Sequence, residues 1–463
     1  MKVIDYIKGR GLPVLDSQTY RDWIELWWLW YQGYVPSVHD YYVRTTTSRK
    51  KKFKRYTLGM AKTISEDYAS LLLNEKVQIT SEKFKNMQDI LDDNHFQERG
   101  NRLVEIAMAL GTGAFVEYKE ADDRVRIDYL RADMIFPIRW DGDTIYECAF
   151  ASILNNGIED IKRPLFYVQI HRQNENGQYV VENVFLNKDT GAQVTNPENI
   201  EEISDPSPVP LFQIIRPNAY NAIDPYSPMG MSVYGLAQSQ LEGCDIVYDS
   251  FINEFVLGKK RIMVPQTMGQ IALTSSGKIE PFFDPNDGII HVYKVPDGSP
   301  DKMQEYDFHL RMEEHNLGLQ RALDILSKKC GLGTRRYQFE GGGVKTATEV
   351  ISENSDLYQS VKRNTHPIER AIVNMVKALS FLDNGNADID VTVEFDDSII
   401  EDEAATTQRC AIRLANGTMS KKQAIMEMDK ISEKEAEARL AEIQAEEKVT
   451  DTNVMNFTAG EQV

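Results

Sequence analysis

The chain has 463 residues, of which 42% are hydrophobic and 10% aromatic, and a formal net charge of −19. That is length for two to four domains and apolar content for real cores, which excludes a disordered chain. The acidic balance excludes a protein that grips nucleic acid by overall positive charge, since affinity for phosphates comes from Lys and Arg releasing counterions.

The N-terminal stretch "MKVIDYIKGRG" is too polar for a secretory signal. No run reaches the ~18 apolar residues of a membrane span. The longest candidate, "LVEIAMALGTGAFVEY" (Leu103–Tyr118), is broken by Glu105 and two glycines and reads as a buried helix, a glycine turn and a strand. Cys148, Cys244, Cys330 and Cys410 form no CxxC pair. Reduced thiols in a cytosolic setting are expected, rather than a zinc ribbon or a disulfide framework.

In chain order, "DSQTYRDWIELWWLWYQGYV" predicts a helix with Ser17 as N-cap and Trp23, Trp27 and Trp30 on one face. Few basic residues accompany them, so packing against the protein body or a neighbouring subunit is favoured over a membrane-interface helix. The basic run "SRKKKFKRY" (Ser48–Tyr56) reads as a solvated loop or first helical turn; a contact with nucleic acid or a partner is the alternative. "GMAKTISEDYASLLLNEKVQIT" reads as an amphipathic helix running into a strand.

From Gly111 to about Val209 the pattern is β-rich, with a hairpin expected to close on a type I′ turn at Asn176-Gly177 and a second turn at Asp189–Gly191. "RPNAYNAIDPYSPMGMS" (Arg216–Ser232) reads as a linker. A long helix follows, on which Leu236, Leu241, Ile246, Val247, Phe251, Phe255 and Val256 recur at helical spacing up to Gly258. Residues 261–300 read as a small insert of short strands, and a second helix is expected from about Pro300 to Lys329. Helix, insert and returning helix make a stalk with a tip. A third long helix runs from about Ala347 to Leu382 and must kink or break at Pro367, which lacks a backbone donor. "ADIDVTVEFDD" alternates as a strand, and capping boxes at Ser420-x-x-Gln423 and Ser432-x-x-Glu435 announce two short terminal helices.

The stretch "RRYQFEGGGVKTATEV" (Arg335–Val350) suggests a phosphate-binding loop. A P-loop, however, needs a glycine directly before its lysine, a preceding strand and a following helix. Val344 stands before Lys345, and a helix and a loop precede it. Thr346-x-x-Glu349 is instead a capping box that starts the third helix, and Lys345 sits at a helix N-terminus able to touch a phosphate. The seven histidines, His309, His315 and His366 among them, form no HExxH, and no GxSxG occurs. "DPNDG" (Asp284–Gly288) lacks the calcium-loop register and reads as a turn. No catalytic residue, metal or cofactor is expected.

Taken together, "LVEIAMALGTGAFVEY", "SPMGMSVYGLAQSQLEGCDIVYDSFINEFVLGKKRI" and "GGGVKTATEV", in this order of elements, resemble the portal (head-to-tail connector) proteins of tailed bacteriophages. The likeness is nearest to a branch from phages of Gram-positive bacteria. The resemblance implies an α+β portal fold with an α/β wing, a two-helix stem, a small β-rich clip, a long kinked spine helix and a short helical crown. Carried onto this chain, it gives residues 1–229 as wing, 230–259 as first stem helix and 260–299 as clip. It gives 300–330 as second stem helix and 331–345 as tunnel loop. Residues 346–395 become the spine and a returning wing strand, and 396–463 the crown and tail.

The implied assembly is a ring, usually of about twelve copies, at one capsid vertex. Double-stranded DNA passes through it during packaging and ejection. The implied partners are the terminase large subunit, the major capsid and scaffolding proteins and the head-completion or adaptor proteins, with no membrane. The implied location is the virion, and the host cytoplasm during assembly. The energy would come from a separate terminase, so the chain is expected not to be an enzyme. A channel must touch DNA only weakly. Glu305, Asp307, Glu313 and Glu314 are expected to line the stem, with Arg335, Arg336, Gly341, Gly342, Gly343 and Lys345 in the tunnel loop. The competing readings are another minor head or connector protein, and a nucleotide hydrolase that uses the glycine loop.

Overall fold

A computed structural model of the chain describes residues 2–44, 50–120, 123–154, 165–195, 203–265, 272–273, 279–280, 290–294, 302–338, 347–395, 403–429 and 435–443. It is a mixed helix-and-sheet structure. Near the N-terminus, α1 (Lys2–Gly9) buries Val3, Ile4 and Ile7, and α2 (Gln18–Tyr31) carries the tryptophans. The Ser17 hydroxyl accepts from the Tyr20 amide at 3.2 Å, the expected cap. Trp27 and Trp30 are buried, while Trp23 and Trp28 are half-buried against the same core. The tryptophan face is therefore packing within the body.

After the short helix α3 (Pro36–His39), the basic run forms strand β2 (Lys50–Lys54), antiparallel to β1 (Asp40–Arg44). This corrects the loop or helical turn expected there: alternating Tyr41, Val43 and Phe53 give the segment a strand period that the charge run masks. Next come α4 (Met60–Leu72), β3 (Gln78–Thr80), α5 (Met87–Asp93) and α6 (Phe96–Leu110). α6 ends at Gly111, whose φ of +83° turns the chain straight into β4.

Two sheets follow. One has three strands, with β4 (Gly113–Lys119) between β5 (Val125–Arg131) and β11 (Phe212–Ile215). The other is an antiparallel meander of β6 (Ile135–Asp141), β7 (Thr144–Leu154), β8 (Leu165–Gln173), β9 (Tyr179–Asn187) and β10 (Gln193–Val194). Helix α1 packs on one face of the meander against Phe136, Ile138, Val168, Ile170 and Val184. Phe150 and Cys148, from the opposite face, join the main core of α2, α4 and α6. The β8–β9 hairpin is as expected but its turn is not type I′. The Gly177 amide donates to the Asn174 carbonyl at 3.0 Å, Asn174 pairs with Gln178 at 2.8 Å, and only Gly177 has positive φ. It is a three-residue loop closed by a glycine bulge, because an I′ turn would also place Asn176 at positive φ.

Residues 216–232 are a packed strap rather than a linker. The Gly230 amide donates to Thr112 Oγ1 at 2.9 Å, the Tyr20 hydroxyl donates to the Gly230 carbonyl at 2.8 Å, and Asn221 donates to the Met229 carbonyl at 2.9 Å. A Cβ on Gly230 would lie 2.2 Å from the Gly111 carbonyl oxygen. Two glycines thus let two backbones touch.

The strap leads into α7 (Gln238–Leu257), and α8 (Met312–Lys329) returns alongside it. Between them lie the short strands β12 (Arg261–Pro265), β13 (Ala272–Leu273), β14 (Ile279–Glu280), β15 (Ile290–Tyr293) and β16 (Gln304–Tyr306). β12 is central, parallel to β15 and antiparallel to β16. The long helix α9 (Ala347–Asn384) buries Leu357, Val361, Ile368, Ile372, Met375 and Leu379 at helical spacing. β17 (Thr392–Glu394) then pairs antiparallel with β3, bringing the chain back to its N-terminal part.

Two terminal helices, α10 (Glu403–Ala415) and α11 (Lys421–Asp429), pack together, and residues 435–443 are helical. The Ser420 capping box is formed: the Gln423 amide donates to Ser420 Oγ at 3.1 Å, and the Ser420 amide donates to Gln423 Oε1 at 3.3 Å. Ser432 lies outside the described residues. All four cysteines are buried free thiols, and burial pushes those of Cys244 and Cys330 up to about 12. Among the described residues no helix is long and apolar enough to cross a membrane, and no group of three or more potential metal ligands converges.

Candidate functional site

α7 and α8 form an antiparallel helical hairpin. Opposite positions meet along it: Glu254 with Arg311, Phe251 with His315, and Val247 beside Gly318. Leu241 and Cys244 from α7, and Leu319, Leu323 and Leu326 from α8, are buried at the base. Exposed apolar side chains flank the hairpin along its length, Ile246 on α7 and Leu317 and Ile325 on α8, with Phe255, Val256 and Leu257 at the far end of α7. Glu254 closes the hairpin. Both its oxygens receive the Arg311 guanidinium, at 3.1 and 2.7 Å, and His315 Nε2 lies 3.5 Å away. The Arg311 hydrogen bonds hold the Glu254 carboxyl down at about 2.

The acidic residues assigned to the second helix divide between two environments. Glu313 and Glu314 lie exposed in the first turn of α8, where a carboxylate suits the helix dipole. Glu305 and Asp307 are not on the helix. Glu305 is in β16, opposite Ile262 of β12, and ion-pairs with Lys260; Asp307 is exposed beyond that strand. The helix starts at Met312 rather than near Pro300 because residues 304–306 satisfy their backbone groups on β12.

Beyond α8 the chain is pinned before it reaches the glycine stretch. Gly331 takes φ +81°, and the Leu332 amide donates back to the Ser327 carbonyl at 3.0 Å. The Tyr68 hydroxyl donates to the Cys330 carbonyl at 2.6 Å. The Arg336 guanidinium grips Asp67 of α4 at 3.3 and 3.1 Å. Gln320 of α8 donates to the Tyr337 carbonyl at 3.1 Å. Arg336, expected in the tunnel loop, is therefore a clamp onto α4, and Arg335 lies exposed beside it. Gly341, Gly342, Gly343, Lys345 and Thr346 lie outside the described residues. The described part of α9 starts at Ala347 and includes Glu349.

Pro367 does not break α9, which is continuous from Ala347 to Asn384. A proline removes the donor for the carbonyl four residues earlier, that of Arg363. The strap supplies a replacement: Asn218 Nδ2 donates to the Arg363 carbonyl at 2.8 Å, and the Asn218 amide donates to Asn364 Oδ1 at 2.7 Å.

A second anchoring site was not legible as such. Two acids on α7, Asp245 and Asp249, are buried and tie down the base of the β1–β2 ribbon. Asp245 Oδ2 contacts buried His39 Nε2 at 2.9 Å, and its Oδ1 accepts from the Leu58 amide at 2.7 Å. Asp249 Oδ1 accepts from the Tyr56 amide at 2.9 Å. The available signal was an acidic pair four apart on α7, a spacing that puts both on one face.

These sites are grips between backbones and helices, suited to holding a shape. The body is mixed helix and sheet, from which an antiparallel helical pair and a small sheet extend, and a long helix crosses the core. The chain belongs to the phage portal protein family of the SPP1 Gp6-like type, whose model matches residues 16–450. No curated protein sequence matches the chain. Among solved structures, it is similar to a chain of the virion of a native gene transfer agent particle, with a TM-score of 0.39 and 11% identity over 80% of this chain and 89% of that one. It is also similar to a chain in the neck of the native gene transfer agent particle computed with C12 symmetry, with a TM-score of 0.38 and 12% identity over the same shares.

Proposed function

We propose that the protein is the portal of a tailed phage with a Gram-positive host. It forms a closed ring of about twelve copies at one capsid vertex, through which double-stranded DNA is packaged and ejected. The family membership over residues 16–450 is the observation that carries this reading. The α7–α8 hairpin supports it, because its exposed apolar flanks suit burial between neighbouring copies.

In this reading α7 and α8 are the stem and residues 260–299 the clip. The clip docks the terminase large subunit and later the head-completion or adaptor proteins. The glycine stretch 341–345, beyond the segment that Arg336 clamps to α4, approaches the DNA, and the terminal helices face the capsid and scaffolding proteins. Exposed Glu313 and Glu314 keep the channel from binding phosphates tightly. Lys345 makes brief phosphate contacts. The protein has no catalytic role, and the motor supplies the energy.

The test is a packaging assay with portals carrying Lys345→Ala or Gly342→Ala, alongside an ATPase assay of the isolated chain. Reduced packaging or DNA retention with no turnover by the chain alone is expected. Wild-type packaging in both variants would remove the loop's role, and turnover abolished by Lys345→Ala would replace the reading with a nucleotide hydrolase.

A further inference from the structure

The β1–β2 ribbon is amphipathic in a way that its own chain does not use. Its register puts Tyr41, Val43, Lys51 and Phe53 on one face and Asp40, Tyr42, Arg44, Lys50, Lys52 and Lys54 on the other. On the first face Tyr41 and Phe53 stack with ring centroids 5.8 Å apart, yet Val43 is 43% and Phe53 37% exposed. The second face is cationic. The two strands carry five Lys or Arg against one Asp, a net +4, so the rest of this −19 chain carries −23.

The base of the ribbon is fixed. The Arg55 amide donates to the His39 carbonyl at 2.8 Å, and Asp245 and Asp249 of α7 hold His39 and Tyr56. A two-stranded ribbon is marginal on its own, so a rigid root under an uncovered apolar face marks a preformed docking arm.

We infer that this ribbon is an inter-subunit arm: it inserts into a groove of a second copy of this chain, which covers the apolar face on one side and meets the cations with acidic groups on the other. The inference rests on the ring proposed above. Charge complementarity between a +4 ribbon and a −23 body selects the occupant. DNA fits less well. Phosphates would use only the cationic face and leave Tyr41, Val43 and Phe53 wet.

The full chain is tested with three variants: Val43→Ser with Phe53→Ser, Lys50→Glu with Lys52→Glu, and Val43→benzoylphenylalanine for photocrosslinking. Particle mass on dilution, far-UV circular dichroism and binding of a labelled short DNA duplex are measured. Both double variants should keep wild-type circular dichroism while their rings dissociate at about tenfold higher protein concentration. The photocrosslinker should join chain to chain. Wild-type ring stability in both variants, without chain-to-chain crosslinks, overturns the arm and leaves the ring intact. Unchanged rings with lost duplex binding overturn it in favour of nucleic acid. A wild-type chain that stays monomeric removes the ring and the arm together.

Discussion

Asn218 fills the hydrogen-bonding gap that Pro367 opens in the longest helix, donating its side-chain amide to the Arg363 carbonyl at 2.8 Å. The strap and the helix are thereby coupled at the one turn where the helix cannot satisfy itself. Asn218→Ala should destabilise the fold by about 1 kcal/mol in chemical denaturation. The loss should shrink in a Pro367→Ala background, where an alanine amide serves the same carbonyl. A double-mutant cycle reads the coupling, and strict additivity would show that the two residues act independently.

Gly111 and Gly230 make the second coupling of the strap. Gly111 combines φ +83° with a Cβ position 2.6 Å from the Gly230 carbonyl oxygen. Gly111→Ala adds strain and a backbone clash together, and should cost on the order of 3 kcal/mol. Gly142→Ala is the control: its φ is +51° but nothing lies within 4 Å of the added Cβ, so only the conformational part is lost. Equal melting-temperature losses in the two variants would contradict the close approach.

Glu117 is buried in β4, and neither carboxylate oxygen has a hydrogen-bond partner among the described residues. Burial raises its pKa well above the ordinary value. The folded state then keeps a proton that the unfolded chain releases above about pH 4.3, so stability falls as pH rises through that window. Glu117→Leu should stabilise the protein at neutral pH by about 1–3 kcal/mol, and by less near pH 4. Buried His171, pushed down to about 3, has the opposite sign: it removes stability as pH falls below about 6.5. Denaturation midpoints of Glu117→Leu and His171→Leu across pH check both; a gap from wild type that does not change with pH contradicts the account.

Arg311 holds Glu254 ionised down to about 2, below its ordinary value. The contribution of Glu254 to the α7–α8 hairpin is therefore complete above about pH 4.5 and lost as pH falls towards 2. Glu254→Gln should loosen this end at neutral pH. Hydrogen-exchange protection of residues 312–318 should drop in the variant at pH 7 and converge with wild type near pH 2. Equal protection at pH 7 would show that the ion pair does not hold the hairpin.

The long amphipathic elements were legible. The tryptophan face of α2, the α6–Gly111–β4 corner, α9 and the Ser420 capping box follow from local periodicity and capping, which a sequence carries within one or two turns. What was misread depends on distant partners. Residues 304–306 continue a helical reading until β12 claims them as a strand, and the strap looks like a linker until Thr112, Tyr20 and Arg363 bind its polar groups. Charge also misled: the Lys run hid a strand, and Arg336 and Glu305, both read as facing DNA, have Asp67 and Lys260 as partners.

The central claim is assembly into a closed ring. Mass photometry of the purified full-length chain, followed by negative-stain imaging of the same sample, tests it directly. Particles of about twelve subunit masses with a central hole in end view are expected. A single population at the 52.9 kDa monomer mass at every concentration would contradict it.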